Sequence, residues 1–212
     1  MARTTAGALT ALAVVLALAG CGSADAESAP SPAAPTVTAT PTPVPTPAVD
    51  VPIAAATPAP VRDPQPPVRV VAASVDVDVP VVEVGVEIGG FMELPVDPAI
   101  AGWYRFGSDP ASADGNVVIS AHVDAPSYPI GPFSRLRDLA AGEVVEVTDA
   151  AGSVHRYSVE SVTYYPKADL PVDELFARSG TRALVLITCG GAFDPTSGRY
   201  ADNVVAIATP IP

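Results

Sequence analysis

Short runs rich in Val and Ile recur between turn signals from residue 68 onward: VRVVAASV, VPVVEVGVEI, NVVISAHV, EVVEVTD, SVHRYSVESVTYY, RALVLITC and NVVAIAT. Runs of this length and composition predict strands, because β-branched side chains suit a pleated surface and the Gly, Pro, Asp and Asn between them break the pattern. In SVHRYSVESV, Arg156, Ser158 and Glu160 alternate with His155, Tyr157 and Val159, which predicts a sheet with one wet face. Asp76 and Asp78 alternate with Val75, Val77 and Val79 in the same way. Asp149-Ala150-Ala151-Gly152 joins two of the runs as a hairpin turn, with Gly available for positive φ. Helix signals are confined to a turn at Pro98-Ala99-Ile100, another from Phe133 to Leu139, and a short helix from Val172 to Arg178 with Asp173 and Glu174 near its positive end. Roughly seven or eight strands with so little helix predict an all-β domain, closed or nearly closed into a barrel.

The segment before this domain has a different character. Residues 1–21 read as a signal: Arg3 gives the positive start, Ala6 to Ala19 a short apolar stretch, and Leu18-Ala19-Gly20-Cys21 closes it. The stretch is too short to span a bilayer comfortably. It resembles a bacterial lipoprotein signal, which implies diacylation of Cys21 and cleavage before it, leaving a lipid-bearing N-terminus. An ordinary secretory peptide or an uncleaved anchor shares the same features, and all three readings export the rest of the chain. Residues 22–67 are dominated by Pro, Ala, Thr, Val and Ser, as in TVTATPTPVPTPAV, with no helix or strand period. Such a segment buries too little surface to offset its ordering entropy and predicts an extended, partly polyproline tether. At about 3.1 Å per residue it reaches roughly 140 Å, a distance suited to a cell-wall spacer. Residues 68–212 then form one domain with room for a sizeable core. With 11 Lys+Arg against 23 Asp+Glu, the chain is strongly acidic, which favours solubility and argues against a nucleic-acid partner.

Cysteine usage points to the chemistry. The chain holds two cysteines, and acylation of Cys21 leaves Cys189 without a disulfide partner in an exported domain. A free cysteine is often a small buried hydrophobe. Cys189, however, ends the apolar run ALVLITC and opens onto Gly190-Gly191, where a substrate backbone can approach. His122 leaves the run NVVISAHVD in the same way, and Arg199, the only arginine after Cys189, precedes another run. A thiol of ordinary pKa is only about 3 % thiolate at pH 7, so a nucleophilic cysteine gains from a nearby base or cation. An imidazole supplies the base and then protonates a departing amine, and a guanidinium can donate to the oxyanion of a tetrahedral intermediate. The three residues together point to acyl transfer.

These motifs resemble the sortases. LITCGG, FDPTSGRYADNVV and AHVD carry the likeness, and GFMELP, GWY, AHVD and PKADLP are similar in particular to the class F sortases of high-GC Gram-positive bacteria. The resemblance runs from about Val68 to Ala208, with the Cys, His and Arg motifs in the family's order. It implies an eight-stranded sortase barrel and a cysteine transpeptidase that recognises a sorting motif of the LPxTG kind. By that resemblance Cys189 attacks the carbonyl of the motif's Thr, His122 protonates the leaving Gly amine, and an amine acceptor, typically from a peptidoglycan precursor, resolves the thioester. Arg199 is implied to hold the substrate carbonyl or the oxyanion, Thr188 to help shape the substrate groove, and Asp124 to orient the His122 loop, with Gly190 in a supporting place beside the thiol. No metal or cofactor is implied. Val185 stands where the family's cysteine strand often has Thr. A lipid on Cys21 would replace the transmembrane segment that holds most sortases to the outer face of the membrane.

Other readings of single residues stay open at this level. His155 is the alternative base, although Arg156 beside it opposes its protonation. Asp169, Asp173 and Glu174 fit a solvated helix start better than a calcium site. Trp103 and Tyr104 read as packing residues. An L,D-type transpeptidase lacks support, because its His-Gly and Ser-x-Gly-Cys motifs are missing. A catalytically inactive surface lipoprotein that binds wall peptides or a protein partner through the same groove is the alternative from another functional class.

Overall fold

A computed structural model describes residues 62–212. The β-branched runs become strands: β1 Pro67–Ala72, β2 Val77–Val84, β3 Ala101–Tyr104, β4 Asn116–Ser120, β5 Val144–Asp149, β6 Val154–Pro166, β7 Ala183–Asp194 and β8 Arg199–Ile211. They close into an eight-stranded barrel in the order β1-β2-β3-β4-β7-β8-β6-β5, with β5 pairing back onto β1. Most neighbours are antiparallel, but β2 with β3 and β4 with β7 are parallel. A parallel pair needs a crossover rather than a hairpin. Between β4 and β7 that crossover carries a 3-10 segment at Pro132–Asp138, strands β5 and β6, and a one-turn helix, α1, at Val172–Leu175.

Two packed layers result from the parallel pairing. Val70, Val77, Val79, Ile119, Tyr157, Leu184, Leu186 and their neighbours fill the barrel interior. On the outer face, Val118, Val185, Ile187 and Val205 meet Leu175 of α1, with Leu170, Phe176, Tyr104 and Met92 packed around them. Both sides of β4 and of the first half of β7 are therefore covered, which is why NVVIS and ALVLIT read as unbroken apolar runs. Burying a side chain such as Leu175 contributes about 1.5–3 kcal/mol. Asn116 fixes the covering segment in place: its Nδ2 donates to the carbonyls of Glu174 (2.9 Å) and Leu175 (3.1 Å), and its backbone N–H donates to Ala177 (2.8 Å).

The β5–β6 hairpin turns at Asp149-Ala150-Ala151-Gly152 as expected, with Gly152 at φ +84°. Along β6, Tyr157 and Val159 are buried while Arg156 and Glu160 face solvent. Asp78 lies on a wet face and accepts from Arg69 at 2.7 and 2.5 Å. The structure departs from the sequence reading in two places. The strand β3 was not expected, since AGWY is too short to display alternation. Strands β7 and β8 also extend past the apolar runs, forming a long bulged hairpin beyond Cys189. Ordered contacts begin before β1, where Arg62 pairs with the buried Asp109 at 2.6 Å. Among the described residues no helix is long and apolar enough to cross a membrane. Cys21, the signal and most of the tether lie outside the described residues.

Candidate active site

The register of β4 and β7 sets the site. Asn116 lies beside Ala183, and the pairing continues without a slip to Ser120 beside Ile187. Carried two residues further, the same offset puts His122 level with Cys189. Because successive side chains on a strand alternate faces, Cys189 shares the outer face of Val185 and Ile187, and His122 that of Val118 and Ser120. Where the ladder ends, side chains take over. Ser120 Oγ donates to Ile187 O (2.9 Å), Thr188 Oγ1 to Ala121 O (2.8 Å), and Ala121 N to Ile187 O (3.2 Å). The backbone leading into the imidazole and the thiol is thus bonded across the two strands. Thr188 is 3 % exposed and faces inward, so its hydroxyl serves the His-bearing segment rather than the wall of a groove. Cys189 is a half-buried free thiol.

Beyond the thiol the chain passes so close to its neighbours that only glycine fits. At Gly190 a Cβ would run into Val204 Cγ2 and approach Tyr164, and at Gly191, with φ +76°, it would run into the carboxylate of Asp202. The bulge between Gly190 and Phe193 follows from this close approach. Lys167, in the 3-10 turn after β6, directs its Nζ to 3.8 Å from Cys189 Sγ. Across the mouth, Tyr200 O–H donates to Asp124 Oδ2 at 2.6 Å while its ring packs at a tilt against Phe193, joining the His122 loop to the β7–β8 hairpin.

The electrostatics follow from these contacts. Partial burial draws the His122 pKa below the ordinary histidine range, while the carboxylate of Asp124 pulls it upward. The imidazole is therefore neutral near pH 7, the form that can accept a thiol proton. Tyr200 is pushed up to about 12, first by its hydrogen bond to Asp124 and then by burial, so its hydroxyl remains a donor.

The remaining candidates fall elsewhere. Arg199 begins β8 opposite Asp194, at the mouth of the hairpin and past the bulge, and is exposed. Among the described residues it makes no hydrogen bond or ion pair with Cys189 or His122. The neighbouring Tyr200 is the one that reaches the His loop. His155 is on β6 near the opposite end of the barrel, with its Nε2 2.8 Å from Oδ2 of the buried Asp149. Tyr165 is the β6 residue at the level of Cys189, so His155 lies about 30 Å away along the strand. Trp103 is a packing residue, 3 % exposed, with its indole N–H donating to Ser108 O at 3.0 Å. Among the described residues no three His, Cys, Asp or Glu side chains are grouped to hold a metal ion.

A half-buried free thiol with a lysine amine 3.8 Å away, on the strand paired with the one that leads to His122, is a candidate for covalent acyl transfer. Comparison with protein-family models decides the family. The sortase domain matches residues 70–211, more than half of the chain. The chain belongs to the sortase family. The eight-stranded barrel of this sortase is also found in solved structures. It is similar to sortase C-1 of Streptococcus pneumoniae, with 24 % identity and a TM-score of 0.52 over 68 % of this chain and 66 % of that one. Sortase C-1 of Actinomyces oris gives 20 % identity and 0.50, covering 71 % and 75 % of the two chains. Sortase C of Clostridium perfringens SM101 gives 16 % and 0.50, covering 68 % of each. At these identities the likeness establishes the fold, and the match spans just under two thirds of the pneumococcal chain. A sequence comparison with curated proteins found no match.

Sequence reasoning missed Lys167, Tyr200 and the hydroxyl junction of Ser120 and Thr188. PKADLP and GRYADN stand out in the sequence as motifs, but nothing in their spacing shows that Lys167 reaches a strand two positions away, or that Tyr200 rather than Arg199 turns toward Asp124.

Proposed function

We propose that this sortase is a cysteine transpeptidase that cleaves a sorting motif of the LPxTG kind and passes the acyl group, as a thioester on Cys189, to an amine at the cell wall. The observation that supports the reading is the parallel β4–β7 register, which runs without a slip to Ser120 beside Ile187 and whose offset, carried on by two residues, matches His122 with Cys189. In the proposed reaction the neutral imidazole takes the thiol proton, the sulfur attacks the carbonyl of the motif's Thr, and the imidazolium returns the proton to the leaving Gly amine. An acceptor amine, of the kind a peptidoglycan precursor carries, then displaces the sulfur. Asp124 holds the His122 loop through Tyr200, Thr188 joins that loop to the cysteine strand, and Gly190 lets the chain after the thiol pack closely against Val204. Arg199 donates to the developing oxyanion once the exposed hairpin mouth closes on bound peptide.

Within the family we assign the chain to class F, on GFMELP, GWY, AHVD and PKADLP. The solved relatives quoted above are sortase C proteins and speak to the fold. We also assign residues 1–21 as a lipoprotein signal with Cys21 acylated, 22–67 as a tether and 68–212 as the catalytic domain, held at the outer face of the membrane. The test is mass spectrometry of the purified protein incubated with a panel of LPxTG-type peptides. The expected product is an acyl adduct on Cys189 that hydroxylamine releases, absent in Cys189→Ala. A folded protein that forms no adduct with any sorting peptide, or cleavage that survives in Cys189→Ala, overturns the reading.

A further inference from the structure

Lys167 follows β6 and extends over β8 to reach the thiol. Tyr165 on β6 pairs with Asn203 on β8, and Asn203 pairs with Cys189 on β7. Two strand spacings amount to about 9.6 Å, a gap that only a long side chain crosses. Its Nζ ends 3.8 Å from Cys189 Sγ. The nearby carboxylates leave it there. Asp202 lies against Gly191, Asp124 accepts from Tyr200, and among the described residues Lys167 makes no ion pair with Asp or Glu.

We propose that Lys167 is a further catalytic residue of this site, its ammonium facing the negative charge on the Cys189 sulfur each time that charge exists in the acyl-transfer cycle. The inference rests on Cys189 being the nucleophile. In the first half-reaction the sulfur's electron pair forms the S–C bond, the C–N bond breaks, and the departing amine takes its proton from His122. In the second, the acceptor amine forms a new C–N bond, the C–S bond breaks with its pair returning to sulfur, and the acceptor's proton passes to His122. Lys167 exchanges no proton in either step. His122 moves the proton and Lys167 holds the charge, as a compact ammonium on a flexible stem can do while the acyl group comes and goes.

The test uses two small thiol reagents of opposite charge, the sulfonatoethyl and trimethylammonioethyl methanethiosulfonates, on the full-length protein at low salt. Labelling of the Cys189 peptide is followed by mass spectrometry. The ratio of anionic to cationic labelling rates is expected to fall about tenfold in Lys167→Met, to stay within about twofold in Lys167→Arg, and to shrink with rising salt in the unsubstituted protein. Lys167→Glu, a second variant at the same exposed position, lowers the ratio further. In peptide cleavage, Lys167→Met loses about tenfold in kcat/KM and Lys167→Arg recovers most of it. A labelling ratio indifferent to the sign of residue 167 overturns the proposal. Labelling needs no turnover, so the two readings fail separately: sorting peptides left uncleaved with the ratio responding as expected sink the substrate assignment alone, and cleavage with an indifferent ratio sinks Lys167 alone.

Discussion

His122 is half-buried, and for the general base proposed above the sign of its pKa shift has a direct kinetic consequence. A histidine whose pKa lies below the ordinary value of about 6.5 is protonated only at lower pH, so the acid-side loss of kcat/KM belongs below that value. Asp124 raises the His122 pKa, and Asp124→Asn is therefore expected to move the acid limb to still lower pH, as a pH–rate profile would read. His122→Ala should lower kcat/KM by about 10²–10⁴, the usual weight of a general acid–base. His155→Ala should leave turnover within a few-fold and reduce stability instead, by about 1–3 kcal/mol in urea unfolding, because it strips Oδ2 of the buried Asp149 of its side-chain partner while Oδ1 keeps the Ser153 N–H. Comparable kinetic losses in the two histidine variants would move the base away from His122. Both histidines were visible in the sequence, but only the barrel separates His155 from the level of Cys189 by most of a strand length.

The junction of β4 with β7 is the element on which the site depends. Its ladder ends at Ser120 and Ile187, just short of the functional residues, and two hydroxyls extend the pairing to Ala121 and Thr188. Thr188→Val keeps the shape and removes the donor, leaving the Ala121 carbonyl without that bond next to His122. The expected cost is about 1–3 kcal/mol of stability, with a fall in kcat at little change in KM, since the reacting groups lose their alignment rather than the substrate its contacts. Urea unfolding and steady-state kinetics on the same preparation check it, and unchanged kcat would make the bond purely structural. Strand composition made most elements legible, including the hairpin at Asp149–Gly152, the 3-10 segment and α1. The short β3 escaped because four residues give no period to read. The extension of β7 through Gly190 and Gly191 escaped for a related reason, since two glycines in an apolar run signal a strand's end as readily as a bulge.

At the scale of the molecule, the barrel is covered on the face that carries the thiol, and its ladder closes from β5 onto β1. Residues 62–212 hold all the described contacts of that barrel, so the fragment is expected to unfold in a single cooperative transition and to react at Cys189 as the full chain does. Loss of either property in the fragment would assign a structural role to residues 1–61. Cys21→Ser in the full chain should release the protein from membranes, as fractionation would show, and retention on the membrane would contradict the lipid anchor. By itself the sequence determined the all-β class, the acidic composition, and the few residues that are candidates for acyl-transfer chemistry, because composition, alternation and turn residues are local properties. Which of those residues meet was decided by the tertiary structure. The parallel β4–β7 register sets the residues just before His122 beside those just before Cys189, the reach of Lys167 across β8 adds a cation, and the hairpin turns Tyr200 to Asp124 while leaving Arg199 at its mouth. Those proximities depend on strand order and register, which long-range pairing fixes and no local window of sequence contains.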